Sequence, residues 1–100
     1  MTDHDAARAH QRAELLDQID SHPDHVIPCR SVDLHTAGAW TAETEDEQRV
    51  AAAACRARPC PALAACRAFG LAWPQELGAY GGLTQTERRR TARNIERRTA

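Results

Sequence analysis

Large apolar side chains are sparse along this chain, and where they recur they do so at helical intervals. Leu15, Leu16 and Ile19 form a thin apolar edge in an otherwise polar stretch, which predicts a helix over residues 5–19. The narrow face means that this helix either docks loosely or binds a partner. A second apolar edge, preceded by prolines, predicts another helix over residues 61–72.

Capping boxes mark the starts of two more helices. The pattern Ser/Thr-x-x-Glu, in which a hydroxyl and a carboxylate satisfy free backbone N–H groups, occurs at residues 44–47 and 84–87. It predicts helices over residues 44–56 and 85–98. Together the four segments predict an all-α fold, a small irregular domain of about four helices. Trp40, in the irregular segment between the first and second of these helices, is expected to be a buried ring.

The core that such helices can build is poor in large side chains. Leu, Ile, Val and Phe together number 14 of 100 residues, whereas 20 residues are Ala. A share below about one fifth is typical of chains that do not fold by apolar burial alone. Because small domains commonly need a disulfide, a metal or a partner as well, we expect the cysteines to staple this fold.

Four cysteines are the candidate staple. Cys55, Cys60 and Cys66 lie within 12 residues, with Cys60 expected to cap the third helix, and Cys29 lies upstream. Residues 1–20 are charged throughout, unlike a secretory signal, and no apolar run approaches the roughly 18 residues of a membrane span. A cytoplasmic protein that does not enter a membrane is therefore expected. Thiols stay reduced in the cytoplasm, which favours a metal site over disulfides.

Three chemistries remain open from the cysteine spacing. A structural zinc ion takes four thiolates, often from short Cys-x₂₋₄-Cys pairs, and Cys55 with Cys60 is one such pair. An iron–sulfur cluster also takes four thiolates but forms a wider cage, so it accommodates three clustered ligands and a remote one. A disulfide pairing is the third possibility, and its connectivity does not follow from sequence. The spacing favours iron–sulfur over zinc by a small margin.

Charge is divided unequally between the two halves of the chain. Residues 1–50 carry a net charge of −7, and residues 51–100 carry +6. The last predicted helix holds six Arg against two Glu, which is lopsided for an ordinary solvated helix and favours contact with nucleic acid. The candidate DNA-binding residues are Arg88, Arg89, Arg90, Arg93, Arg97 and Arg98.

A lone cysteine, a Trp-containing segment and three clustered cysteines are followed by a glycine turn and an Arg-rich helix. This order, over about residues 29–98, resembles the WhiB family of actinobacterial and actinophage transcriptional regulators. In two places the chain departs from the family pattern: four residues separate Cys55 from Cys60 where the family usually has two, and Tyr80 stands where Trp is usual. The glycine turn consists of Gly78, Ala79, Tyr80, Gly81 and Gly82.

The resemblance implies a helical domain wrapped around a [4Fe–4S] cluster ligated by the four cysteines. It also implies docking onto the C-terminal domain of the principal sigma factor of RNA polymerase near the glycine turn, with the basic tail on promoter DNA. The chain would then divide into an acidic N-terminal helix at residues 1–22, mobile or loosely docked, a cluster domain with the glycine turn at 23–82, and an Arg-rich helix at 83–100. Because the turn lies outside the cysteine span, substitutions there are expected to affect partner binding more than the cluster.

The expected function is non-enzymatic regulation of transcription, with the cluster as a fold staple and as a sensor of redox state or nitric oxide. A zinc-stapled module that binds DNA or protein is the alternative, and it predicts a colourless protein. A thiol–disulfide oxidoreductase acting in the apo form is a third hypothesis. It is weakened because the chain has no Cys-x-x-Cys pair.

Overall fold

Helices form at all four predicted places, and the fold is all-α. The computed structural model describes residues 2–31, 38–57 and 60–99. The helices are α1 (Asp3–Asp20), α2 (Glu45–Ala57), α3 (Leu63–Ala72) and α4 (Gln85–Thr99), with single 3₁₀ turns at Asp24–Val26 and Ala39–Thr41. Within the described ranges, the β structure is an isolated bridge between Tyr80 and Leu83. None of the helices described there combines the length and the apolar character needed to cross a membrane.

The two capping boxes fix the starts of α2 and α4, as predicted. The N–H of Glu47 donates to Thr44 Oγ1 at 3.3 Å. At α4 the bonding is reciprocal, because the N–H of Glu87 donates to Thr84 Oγ1 at 3.2 Å while the N–H of Thr84 donates to Glu87 Oε1 at 2.9 Å. Two backbone donors that the helix leaves free are thereby satisfied.

The third helix begins later than the sequence predicts. Cys60 was expected to cap a helix that starts at residue 61, but α3 starts at Leu63 with Ala62 in the cap position. The N–H of Leu63 donates to the carbonyl oxygen of Cys60 at 3.0 Å. This bond closes a turn over residues 60–63, so Pro61 lies in the turn rather than in the first helical position.

Two small apolar clusters form the interior of the part of the protein that the structure describes. The first joins α1 to α3 and the second packs α2 against the segment around residue 40 and the glycine turn. The second is built from alanines, whose small side chains let neighbouring backbones approach closely. The members of the first are Leu15, Ile19, Ile27, Ala62 and Phe69, and those of the second are Ala39, Ala51, Ala52 and Ala79.

α1 is also anchored by polar contacts between its N-terminal half and the loop that follows α3. Arg8 forms an ion pair with Glu76. The indole N–H of Trp73 donates to Gln11 Oε1 at 2.6 Å. With its apolar edge buried further along, α1 contacts the rest of the protein through both halves.

A buried polar network joins α2 to the start of α4. Gln48 is only 2% exposed; its amide N–H donates to the carbonyl of Ala42 at 2.8 Å, and its Oε1 accepts from the N–H of Gln85 at 2.7 Å. The hydroxyl of Thr84 donates to Glu45 Oε1 at 2.8 Å. These bonds hold the first turn of α4 against the body of the protein.

Candidate metal centre

Four cysteines from four different segments line one cavity of about 150 Å³. Cys29 follows the first 3₁₀ turn, Cys55 lies near the end of α2, Cys60 lies in the turn before α3, and Cys66 lies within α3. All four are free thiols, and their exposure falls from Cys29, which is exposed, to Cys55, which is buried. The fold therefore assembles the predicted ligand set around a single space.

The size of the cavity indicates what it could hold. A water molecule needs roughly 10–15 Å³ on the same measure, so the space is about ten times that of one small molecule or ion. Within the parts of the chain that the structure describes, no three His, Cys, Asp or Glu side chains are arranged to hold one metal ion together. Two of the four residues between Cys55 and Cys60 lie outside the described ranges.

Two hydrogen bonds point at sulfur atoms of the site. The indole N–H of Trp40 donates to Cys55 Sγ at 3.2 Å, and the backbone N–H of Gly81 donates to Cys66 Sγ at 3.1 Å. Such bonds stabilise negative charge on a thiolate or a cluster sulfur and tune its redox potential. Trp40 was expected to be a buried ring; it is half-buried against the alanine cluster and also serves the cysteine site.

The thiols of Cys29 and Cys66 resist ionisation as long as no cation is bound. Burial, opposed by the hydrogen bond from Gly81 and aided by the neighbouring cysteines, raises the pKa of Cys66 to about 12. Burial and the charges of Cys55 and Cys60 likewise raise the pKa of Cys29. Metal binding to such a site displaces protons, so the ligands become thiolates as the metal enters.

The glycine turn is a tight reversal with left-handed backbone at its centre. Tyr80 and Leu83 exchange N–H···O bonds of 3.0 and 3.1 Å around Gly81 and Gly82. These two glycines have φ of 62° and 76°, as in a type I′ turn, which a residue with a Cβ adopts only with strain.

The turn packs directly against the cysteine site. A Cβ added to Gly81 would lie 2.3 Å from the Cα of Arg67 in α3. Arg67 Nε donates to the carbonyl of Gly81 at 2.9 Å, and Arg56 donates to the carbonyl of Gly82. Ala79, Tyr80 and Gly81 also line the cavity with the cysteines. The turn lies outside the cysteine span in sequence but beside the cysteines in space. This removes the reason to expect that substitutions in the turn affect partner binding more than the cluster.

Arg88 was predicted to contact DNA, and the structure contradicts this. Its side chain is 0% exposed and lies 5.0 Å from the centroid of the Tyr80 ring. Burial lowers its pKa, and its Nε has no hydrogen-bond partner among the described residues. Its other guanidinium nitrogens donate to the carbonyls of Gly70, Trp73, Glu76 and Gly78. Arg88 thus joins α4 to the end of α3 and to the glycine turn.

A sequence signal for this role exists. A capping box defines Thr84 as N-cap, so Arg88 occupies the fourth helical position, where the hydrophobic staple places an inward-facing side chain. The other five candidate residues are exposed. They are Arg89, Arg90, Arg93, Arg97 and Arg98, and of these Arg89 donates to Gln75 Oε1 at 2.8 Å.

Comparison with known proteins found one family. The family model described as transcription factor WhiB matches residues 25–91. The match covers the four cysteines, the glycine turn and the first two turns of α4, and it leaves α1 outside. No curated protein and no solved structure matches the chain.

Proposed function

The chain belongs to the WhiB family of transcription factors and is a transcriptional regulator, and on that premise we propose that it works with a [4Fe–4S] cluster bound at the four-cysteine cavity. In this proposal the regulator acts with the C-terminal domain of an RNA polymerase sigma factor and with promoter DNA. It is not an enzyme. Its cluster holds the fold together and responds to redox state or nitric oxide.

The observation that carries the cofactor proposal is the placement of the cysteines. Cys29, Cys55, Cys60 and Cys66 surround one space that is large for a single ion, which favours a multinuclear cluster over zinc. When bound, the cluster would supply four iron–thiolate bonds and a site for one-electron chemistry. The N–H groups of Trp40 and Gly81 would stabilise the sulfur charge.

Partner binding at the glycine turn falls to side chains rather than to the glycines. Gly78, Gly81 and Gly82 are buried, so their role is to give the backbone its shape. Leu77, immediately before the turn, is 42% exposed and offers an apolar contact to a protein such as the sigma domain.

DNA binding falls to the outward side of α4. Arg90, Arg93 and Arg97 are exposed and share one side of the helix at spacings of three and four residues. Guanidinium groups so placed suit phosphates along a DNA backbone, which position a protein without reading its sequence.

Burial weighs against the thiol–disulfide oxidoreductase hypothesis. Reactive cysteines have lowered pKa values, whereas burial raises the pKa of Cys66 to about 12. A zinc-stapled module remains the competing cofactor hypothesis.

Metal and sulfide analysis tests the proposal. Protein purified without oxygen should be brown and should contain about four iron and four sulfide per chain, with the broad visible absorption of an iron–sulfur cluster. A colourless protein with one zinc per chain would replace the cluster by the zinc module. A parallel sample with Cys66→Ser should lose iron and sulfide together.

A further inference from the structure

α1 lies outside the matched family region but forms one wall of the cysteine cavity. The family match starts at residue 25, whereas α1 spans Asp3–Asp20. Its residues that line the cavity are spaced i, i+3, i+4 and i+7, which is one continuous face of a helix. They are Arg12, Leu15, Leu16 and Ile19.

Two polar contacts outside the cavity help to hold the helix in this position. Arg8 pairs with Glu76, and Gln11 accepts a hydrogen bond from the indole of Trp73. These bonds join the N-terminal half of α1 to the loop after α3, and Leu15 packs with Phe69 in the first apolar cluster. These contacts place the C-terminal half of α1 over the cavity that the cysteines line.

One charged side chain faces the cavity from this wall. Among the described residues that line the space, Arg12 is the one with a full charge, and the rest are apolar, aromatic, thiol, hydroxyl or backbone groups. The Arg12 charge also opposes the rise that burial imposes on the pKa of Tyr80, which lines the same cavity. A cluster held by four thiolates is an anion, and an opposite charge nearby stabilises it. Because Arg12 is exposed to solvent, salt screens this attraction and it is strongest at low ionic strength.

We propose that α1 is part of the cluster site, with Arg12 as the positioning cation that faces the cluster and Leu15 and Leu16 as the apolar cover that limits access to it. This rests on the proposed [4Fe–4S] cofactor. Arg12 favours the more negative, reduced state of the cluster, and the apolar cover slows the exit of iron. The arrangement would be a property of this chain's N-terminal helix rather than of the region that the family match covers.

The role of the Arg12 charge is tested by measuring the reduction potential of the cluster at low ionic strength. Arg12→Gln should shift the potential to more negative values, and Arg12→Lys should restore most of the shift because it keeps the charge. Arg98→Gln removes the same charge from an exposed position that does not line the cavity, and it should leave the potential unchanged. An equal potential in all four proteins would overturn the assignment of Arg12. A shift that Lys fails to restore would overturn it as well, because the effect would come from packing.

The role of Leu15 and Leu16 as an apolar cover is tested by the rate at which EDTA removes iron in the absence of oxygen. The release is monitored as loss of visible absorbance. Leu16 is half-buried, so Leu16→Ala should open the wall and speed release by about tenfold. Asp17→Ala, on the exposed side of the same helix, should release iron at the parent rate. Equal rates for both variants would overturn the cover.

A third measurement does not depend on variants that must fold. Hydrogen exchange of the parent should show protected amides in α1 with the cluster bound and a loss of that protection after the cluster is removed. Protection that is the same in both states would overturn the assignment of α1 to the site. A parent protein that contains no iron and sulfide would overturn the proposed cofactor itself. That outcome differs from a protein that binds the cluster but whose α1 protection does not depend on it.

Discussion

Replacing Arg88 with Ala should destabilise the protein far more than replacing any other Arg of α4. The substitution removes the side-chain donor of the Gly70, Glu76 and Gly78 carbonyls, whereas the Trp73 carbonyl keeps the N–H of Glu76. A buried acceptor left unsatisfied costs about 1 kcal/mol or more. Loss of the contact with the Tyr80 ring adds to this cost. Part of the cost is offset, because the variant no longer has to bury a charged guanidinium group. The net loss in free energy of unfolding should be about 3 kcal/mol, and a domain of this size loses roughly 4 °C or more in Tm per kcal/mol, so Tm should fall by about 12 °C.

The assay is thermal unfolding of protein prepared without oxygen, followed by far-ultraviolet circular dichroism. Arg89→Ala is the matched control, because this neighbour carries the same charge but is exposed and makes one hydrogen bond to an exposed side chain. Its effect should stay within about 0.5 kcal/mol. If both variants melt at the parent temperature and Arg88→Ala instead loses affinity for promoter DNA, the buried role is wrong and Arg88 is a DNA contact.

Three further substitutions test other parts of the structure. Gly81→Ala puts a Cβ against the α3 backbone at a positive φ and should cost about 2 kcal/mol or more and reduce iron content, whereas Gly38→Ala, with open space around it, should change neither. Cys66→Ser should abolish the proposed cluster and much of the helical circular dichroism, because the energy of binding the cluster would serve as folding energy; full helicity with cooperative melting would show that the apolar clusters suffice. Arg90→Ala combined with Arg93→Ala should weaken DNA binding about equally on different promoters and lower the slope of log affinity against log salt by about two units; altered promoter preference at constant slope would mean that these residues read bases.

Local signals in the sequence were sufficient to predict the helices that begin with a hydroxyl cap. Thr44 and Thr84 each meet a Glu three residues later, and both predicted helices start where these caps place them. The start of α3 was missed because a Pro suits both a turn and a first helical position, and the bond from Leu63 to Cys60 that decides between them is a feature of the folded chain.

Contacts distant in sequence account for the rest of what was missed. The burial of Arg88 depends on four carbonyls from residues 70–78, at the end of α3 and in the loop after it, which converge only in the folded chain. Likewise, the glycine turn lies 15 residues from Cys66 in sequence, and the bond from Gly81 to that sulfur is visible only in the fold. The cysteines themselves could be identified from spacing and resemblance, and the structure brings all four to one cavity.

Because the guanidinium of Arg88 is buried, it fixes the direction in which every later side chain of α4 points. Successive residues of an α-helix are rotated by about 100°, so with Arg88 pointing inward, Arg93, Arg97 and Arg90 point about 140°, 180° and 200° away from it. The three therefore face directly away from the protein body, and a duplex lying along them would leave the opposite flank, with its glycine turn, open to a second macromolecule. A single residue inserted between Arg88 and Arg90 would rotate these three arginines by about 100° around the helix axis. They would then face one side of the protein body instead of pointing away from it.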